Sequence, residues 1–235
     1  MSRLLDIALH HPLAGLLLTL AAFQAGLAIY RLSGRHVLLQ PFLLACIPVV
    51  LLIRGGYLSL EAYTDSTAWL RYLLGPATVA LAVPLYRHIG AIARHAPVLA
   101  LTISFGAFTA TSLAWLLATL GGANPVVLLS VLPKTVTTPI AMQVAQAIGG
   151  WPHIAAGTVA LTGVAGAVAG PWLMDRCGIR DPRVRGLALG ITAHAVGTAR
   201  AFDESPQAGA FASLGLGLTG LLVALVLPFV ASSLI

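Results

Sequence analysis

Charge is scarce in this chain. Asp, Glu, Lys and Arg make up 9% of its 235 residues, whereas a soluble globular protein draws on roughly 25%. A soluble domain is therefore excluded, and lipid must contact what water does not. Aromatic residues are few, at 7%, and no basic face runs along any segment, so the net charge of +6 does not mark a nucleic-acid binder. The two cysteines, Cys46 and Cys177, have neither metal nor redox spacing, and packing is the expected role of both. Gly-x-Ser-x-Gly, His-Glu-x-x-His, phosphate-loop and Cys/His-cluster patterns are missing. With no nucleophile–base pair or paired carboxylates either, the chain is expected to be neither an enzyme nor a holder of a metal or cofactor.

Apolar residues fill 58% of the chain. Runs near the roughly 20-residue length that crosses a bilayer core fall at about Leu13–Arg31, Val37–Ile53, Trp69–Tyr86, Val98–Leu120, Pro125–Gly149, Ile154–Met174, Arg185–Arg200 and Ala208–Ser233. Met1–His11 could mimic a signal peptide, but with so many spans following, an uncleaved first helix is the simpler reading. The expectation is an all-α polytopic membrane protein of about seven or eight hydrophobic segments, forming a single transmembrane domain over residues 1–235.

Three segments are interrupted. Trp69–Tyr86 holds Gly75, Pro76 and Thr78 with a second proline at Pro84; Pro125–Gly149 holds Pro133, Lys134, Thr135, Thr137, Thr138 and Pro139; Arg185–Arg200 holds Thr192, His194, Gly197 and Thr198 and ends at Arg200. Proline removes a backbone donor and clashes with the preceding turn. Broken backbone is tolerated at membrane depth only where protein or a wet cavity satisfies it.

Loop charges suggest a topology. Arg31 and Arg35, then Arg87 and Arg94 with His88 and His95, then Arg176, Arg180, Arg183 and Arg185 mark three loops as cytoplasmic. The loops at Gly121–Asn124, Gly149–His153 and Arg200–Pro206 are then external. Both ends of Pro125–Gly149 would face outward, so that segment is expected to re-enter, whereas Arg185–Arg200 would cross. The stretches LLGPATVALA (Leu73–Ala82) and ALGITAHAV (Ala188–Val196) echo each other, and the basic loops fall at opposite phases. That pattern suggests an inverted repeat over residues 13–120 and 125–233, with a site at the repeat interface.

Three ordered motifs carry a specific resemblance: LLGPATVALAVPLY (Leu73–Tyr86), LPKTVTTPIAM (Leu132–Met142) and RGLALGITAHAVGTARA (Arg185–Ala201). They resemble the LrgB family, which takes in bacterial LrgB and CidB proteins, YohK-type inner-membrane proteins and the C-terminal half of the plant plastid glycolate/glycerate translocator. The resemblance covers nearly all of the chain beyond Val37. It departs at Ala193, where relatives usually carry a hydroxyl before the histidine. The resemblance implies a multi-pass protein of the bacterial inner membrane and one of two functions. One is secondary transport of small monocarboxylates such as glycolate, glycerate or pyruvate. The other is a component of a holin-like system that modulates murein hydrolase export and autolysis, with an LrgA-like membrane partner. A homo-oligomer is compatible with either.

Several side chains are candidates for a carboxylate site. Lys134 is the sole lysine, and a charge at mid-helix costs ~2.5–3.5 kcal/mol on insertion scales. It stands where a new half-helix would begin, and free N–H groups and the helix dipole there favour anions; snorkelling to the interface is its alternative. Thr135, Thr137 and Thr138 can donate to a ligand or close the backbone gap. His194, flanked by Thr192 and Thr198, can donate to a carboxylate, carry a coupled proton, or simply be satisfied by a neighbouring helix. Arg200 suits a carboxylate, but a surface pair with Asp203 or Glu204 is the favoured reading. Pro76 and Thr78 would be the first-half counterpart, or a plain kink.

Overall fold

The computed structural model describes residue 11 and residues 13–36, 39–80, 86, 89–94 and 96–231. Among these the regular structure is helical and no strand occurs. The helices are α1 (Ala14–Leu32), α2 (Pro41–Arg54), α3 (Leu60–Ser66), α4 (Ala68–Ala80), α5 (Ile89–Arg94), α6 (Ala96–Leu120), α7 (Pro125–Val131), α8 (Thr138–Ala147), α9 (Pro152–Arg176), α10 (Pro182–Glu204) and α11 (Pro206–Ala231). Helices α1, α6, α9 and α11 are each long and apolar enough to cross a membrane. The chain is an all-α polytopic membrane protein, as its composition requires. Pro84, Arg87, His88, His95 and the side chain of Thr78 lie outside the described residues.

The chain divides into two compact units, Met1–Ala77 and Thr78–Ile235. In the first, α1 packs closely on its neighbours because small residues face them. A Cβ added at Gly26 would come within 2.7 Å of the Pro41 carbonyl oxygen, and Thr19 Oγ1 meets the Tyr63 hydroxyl at 2.9 Å. Pro76 does not break α4, which continues through it to Ala80.

The second unit holds two helical hairpins. Hairpin 1 consists of α7 and α8. Asn124 caps α7, its side chain accepting from Val127 N at 2.9 Å, and Pro125 starts the first turn. Pro133 then removes the next amide donor, and the chain tightens into short-range turns, Lys134 N to Val131 O at 3.3 Å and Val136 N to Pro133 O at 3.4 Å. Thr137 is extended (φ −65°, ψ 149°), and α8 starts again from it. The α8 arm folds back, for Trp151 N, beyond its far end, donates at 2.7 Å to the Oγ of Ser130 in the last turn of α7. The expected re-entry of Pro125–Gly149 is therefore present as a folded-back pair of short helices.

Hairpin 2 corrects the sequence-derived topology. In a straight helix Arg185 and Glu204 would stand about 28 Å apart; instead Arg185 Nε donates to Glu204 Oε2 at 2.8 Å. Helix α10 doubles back at Ala193 (φ −122°, ψ 15°) and His194 (φ 41°, ψ −129°). Arg185–Arg200 does not cross, and the loop Arg200–Pro206 lies on the same side as the arginine-rich loop after α9. Acidic residues contribute little to the loop-charge rule, and Glu204 is there to pair Arg185.

Between the hairpins runs α9, 25 residues long and about 37 Å from end to end. Hairpin 1 opens at its Trp151 end, and hairpin 2 opens at its Arg176 end, where Arg185 also bonds Asp175 and the Ile179 carbonyl. The hairpins thus enter from opposite sides of the unit. Each is followed by a long helix starting with proline at its first turn, α9 at Pro152 and α11 at Pro206. Glycines permit the close packing of hairpin 2: a Cβ at Gly186 or Gly190 would collide with the carbonyl oxygen of Ala208 or Ala212 on α11. A Cβ at Gly166 would sit 2.6 Å from that of Ala193.

Candidate functional site

The tip of hairpin 1 is non-helical yet buried. Leu132 and Val136 are 1% and 0% exposed, and Pro133 is as deeply enclosed. Irregular backbone at such depth needs protein around it; Ala141, Val144, Val159, Val223 and Leu227 supply that shell from α8, α9 and α11. Lys134 stands at this tip half-buried, and among the described residues no carboxylate pairs with it.

Helix α8 turns its N-terminus toward the tip without a side-chain cap. Its first backbone bond is Ala141 N to Thr137 O, at 2.9 Å, so the amides of Thr138 and Ile140 precede the i→i−4 ladder, and Pro139 has none to offer. Thr135 is 2% exposed and its hydroxyl has no protein partner. The hydroxyl of Thr137, the residue that would ordinarily cap the helix, is likewise buried and unpartnered. The tip therefore gathers an ammonium, unspent amides and two unspent hydroxyls around one helix start, a donor set suited to an anion.

The tip of hairpin 2 meets α9 near its middle. A Cβ at Gly163 would lie 2.6 Å from the His194 ring, and His194 Nε2 is 2.9 Å from the Val159 carbonyl oxygen. A carbonyl only accepts, so Nε2 carries the proton and Nδ1 of the neutral ring is left as an acceptor. Val159 belongs to the shell around hairpin 1; through it the two tips share one helix. His194 is 3% exposed, and its positive φ is costly for a residue with a Cβ, of order 1–3 kcal/mol. The bond to Val159, and that from Thr198 Oγ1 to the His194 carbonyl at 2.8 Å, hold it there. Residues 195–204 then form a second half-helix whose N-terminus also starts at mid-depth.

The other candidates separate from this centre. Thr192 is exposed and its hydroxyl donates to the Ala188 carbonyl at 2.8 Å, an ordinary intrahelical bond. Thr198 is buried but spends its hydroxyl on closing the break. Arg200 is half-buried with Nε unpartnered, and Glu204, one of the two acidic neighbours expected to pair with it, binds Arg185. Thr138 is half-buried in the first turn of α8. Pro76 is exposed within α4.

Sequence reasoning passed over Thr219. It is 0% exposed in α11 and its hydroxyl has no partner. The signal was present, since Thr219 is the sole hydroxyl residue between Leu214 and Val230, but a lone threonine in an apolar run reads as filler.

Comparison with known proteins identifies a family for the chain as a whole. A family model described as the LrgB-like family matches residues 19–233. An "Uncharacterized protein" of Haemophilus influenzae is 32% identical over 213 residues, covering 91% of this chain and 92% of its own length. "Uncharacterized protein YxaC" of Bacillus subtilis is 33% identical over 207 residues, 88% of this chain and 90% of its own. "Antiholin-like protein LrgB" of Bacillus mycoides is 26% identical over 217 residues, 92% and 94% of the two chains. No solved structure matches the chain.

Proposed function

The chain belongs to the LrgB-like family, and from that premise and the geometry of its hairpins we propose that it carries small monocarboxylate anions across the bacterial inner membrane. The observation that bears the reading is the opposed pair of hairpins, entering the second unit from opposite sides, with a half-helix starting at each tip and, at one of them, a Lys134 that no carboxylate among the described residues pairs. Half-helix N-termini aimed at mid-depth are a recurring anion-binding device of secondary carriers. An intramembrane cation without a carboxylate partner is costly to maintain and fits a transient anionic one. Lys134 and the Thr138 and Ile140 amides would bind the carboxylate; Thr135 and Thr137 would complete its shell; His194 would set the geometry of the facing tip. Uptake of labelled glycolate, glycerate or pyruvate into liposomes holding the purified chain tests this. Transport is expected to fall more than about tenfold in Lys134→Ala, the loss of one charge-assisted contact. Uptake unchanged by that substitution would remove Lys134 from the site, and none of the three acids entering would end the carrier reading.

A second reading has a specific support: the Bacillus mycoides relative is named antiholin-like. On it, the chain is a subunit of a holin-like assembly with an LrgA-like partner and carries nothing. Uptake by the isolated chain separates the two, because the second reading gives none.

A further inference from the structure

Hydroxyls in the helices of this protein habitually bond back to the carbonyl one turn earlier. Thr109 donates to Phe105, Thr119 to Trp115, Thr158 to Ile154, Thr192 to Ala188 and Ser213 to Gly209, at 2.7–3.1 Å. That bond is the default for a hydroxyl in an apolar setting. Thr219 does not make it: the side chain is fully buried in α11 and leaves Oγ1 unpartnered. A buried hydroxyl without a bond costs stability, so its presence asks what else it serves.

Its position answers. Four residues before it, Gly215 packs against the Leu187 carbonyl and Ile191, close to the tip of hairpin 2. One residue after it, Gly220 faces Ile140, three positions past Thr137, and a Cβ there would lie 3.1 Å from Ile140 Cδ1. Val223 and Leu227, one and two turns on, pack in the shell of hairpin 1 together with Leu132 and Val136. Residues four apart share a helix face, so Thr219 stands on the face of α11 that covers hairpin 1, at the level where that helix passes from one hairpin tip to the other.

We infer that Thr219 is a ligand-contacting residue of the hairpin site, its hydroxyl joining those of Thr135 and Thr137 around the bound anion. The inference rests on the carrier reading and adds a third wall to it. The N-terminus of α8 and Lys134 only donate, whereas a threonine hydroxyl both donates and accepts. It can therefore meet a carboxylate oxygen or a neutral polar group on the same small acid.

Thr219→Val tests this, because it keeps the shape and removes the hydroxyl, with Thr219→Ser as the rescue and Thr219→Ala as a second deletion without an added methyl. The full chain is read by thermal unfolding with and without sodium glycolate, pyruvate or acetate, and by liposome uptake of the same acids. Without acid, Thr219→Val is expected to unfold at the same or a higher temperature than the wild type, since no bond is lost. With acid, it should lose most of the stabilising shift, and its KM for uptake should rise about tenfold, while Thr219→Ser stays within about twofold. A valine variant that responds to the acids as the wild type does would overturn the inference. So would one that is less stable without acid yet keeps its KM, which marks a structural hydroxyl. If the wild type itself neither shifts nor transports, the carrier reading fails and this inference falls with it.

Discussion

The two hairpins reach the middle of the second unit by different means. Hairpin 1 is broken by composition: Pro133 and Pro139 bracket its tip, and no glycine occurs between Pro125 and Ile148. Its arms meet their surroundings through Leu, Val and Ala side chains. Hairpin 2 has no proline between Pro182 and Pro206, and no glycine at its turn. It is bent by tertiary contacts, with His194 held at φ 41° by the Val159 carbonyl, and its glycines lie along the arms, where backbones touch. A turn can thus be imposed from within by residues that cannot continue a helix, or from outside by partners that reward leaving it.

The contrast yields graded tests. The largest effect is expected from Gly190→Ala, whose Cβ would collide with the Ala212 backbone carbonyl; rigid backbone cannot yield, and a loss of about 3 kcal/mol is expected. Thermal unfolding in detergent reads it, with Gly75→Ala in α4, where nothing lies within 4 Å of the added carbon, as the control that should be neutral or slightly stabilising. An unaffected Gly190→Ala would mean the arms of hairpin 2 are not packed backbone to backbone.

An intermediate effect is expected at His194. Alanine there keeps the strained backbone but loses the bond to Val159, costing about 1–3 kcal/mol. Glycine tolerates positive φ and should recover about 1 kcal/mol of that loss. Glycine no more stable than alanine would show that the imidazole bond alone, and not strain, sets the balance.

The smallest effect separates the two entrances. Asn124 caps hairpin 1 and cannot titrate. Asp181 caps hairpin 2 by accepting from Arg183 N at 2.9 Å, and bonding to the Arg183 side chain holds its carboxyl below the usual range. A depressed carboxyl stabilises the folded state above its ordinary pKa, and that contribution fades as pH falls through the lowered value. Asp181→Asn should remove this acid-side slope from the unfolding profile while hardly moving stability at neutral pH. A slope that survives the substitution would assign it to another carboxylate.

Much of this architecture was legible beforehand. Apolar runs located the long helices to within a few residues, because lipid leaves few other ways to satisfy a backbone. The prolines around Lys134 announced the first tip and its inward return. The second return was illegible because Ala193 and His194 carry no breaking signal, and because the acidic end of α10 reads as an external loop, whereas Glu204 belongs to Arg185. Thr219 escaped for a related reason: a hydroxyl is informative only once its usual bond is seen to be missing.

Arg185 has a mechanical consequence. One guanidinium ties the last turn of α9, the loop behind it and both legs of hairpin 2 at their base. Legs bound at the root cannot spread there without breaking those bonds, which pins the base of the V to the end of α9.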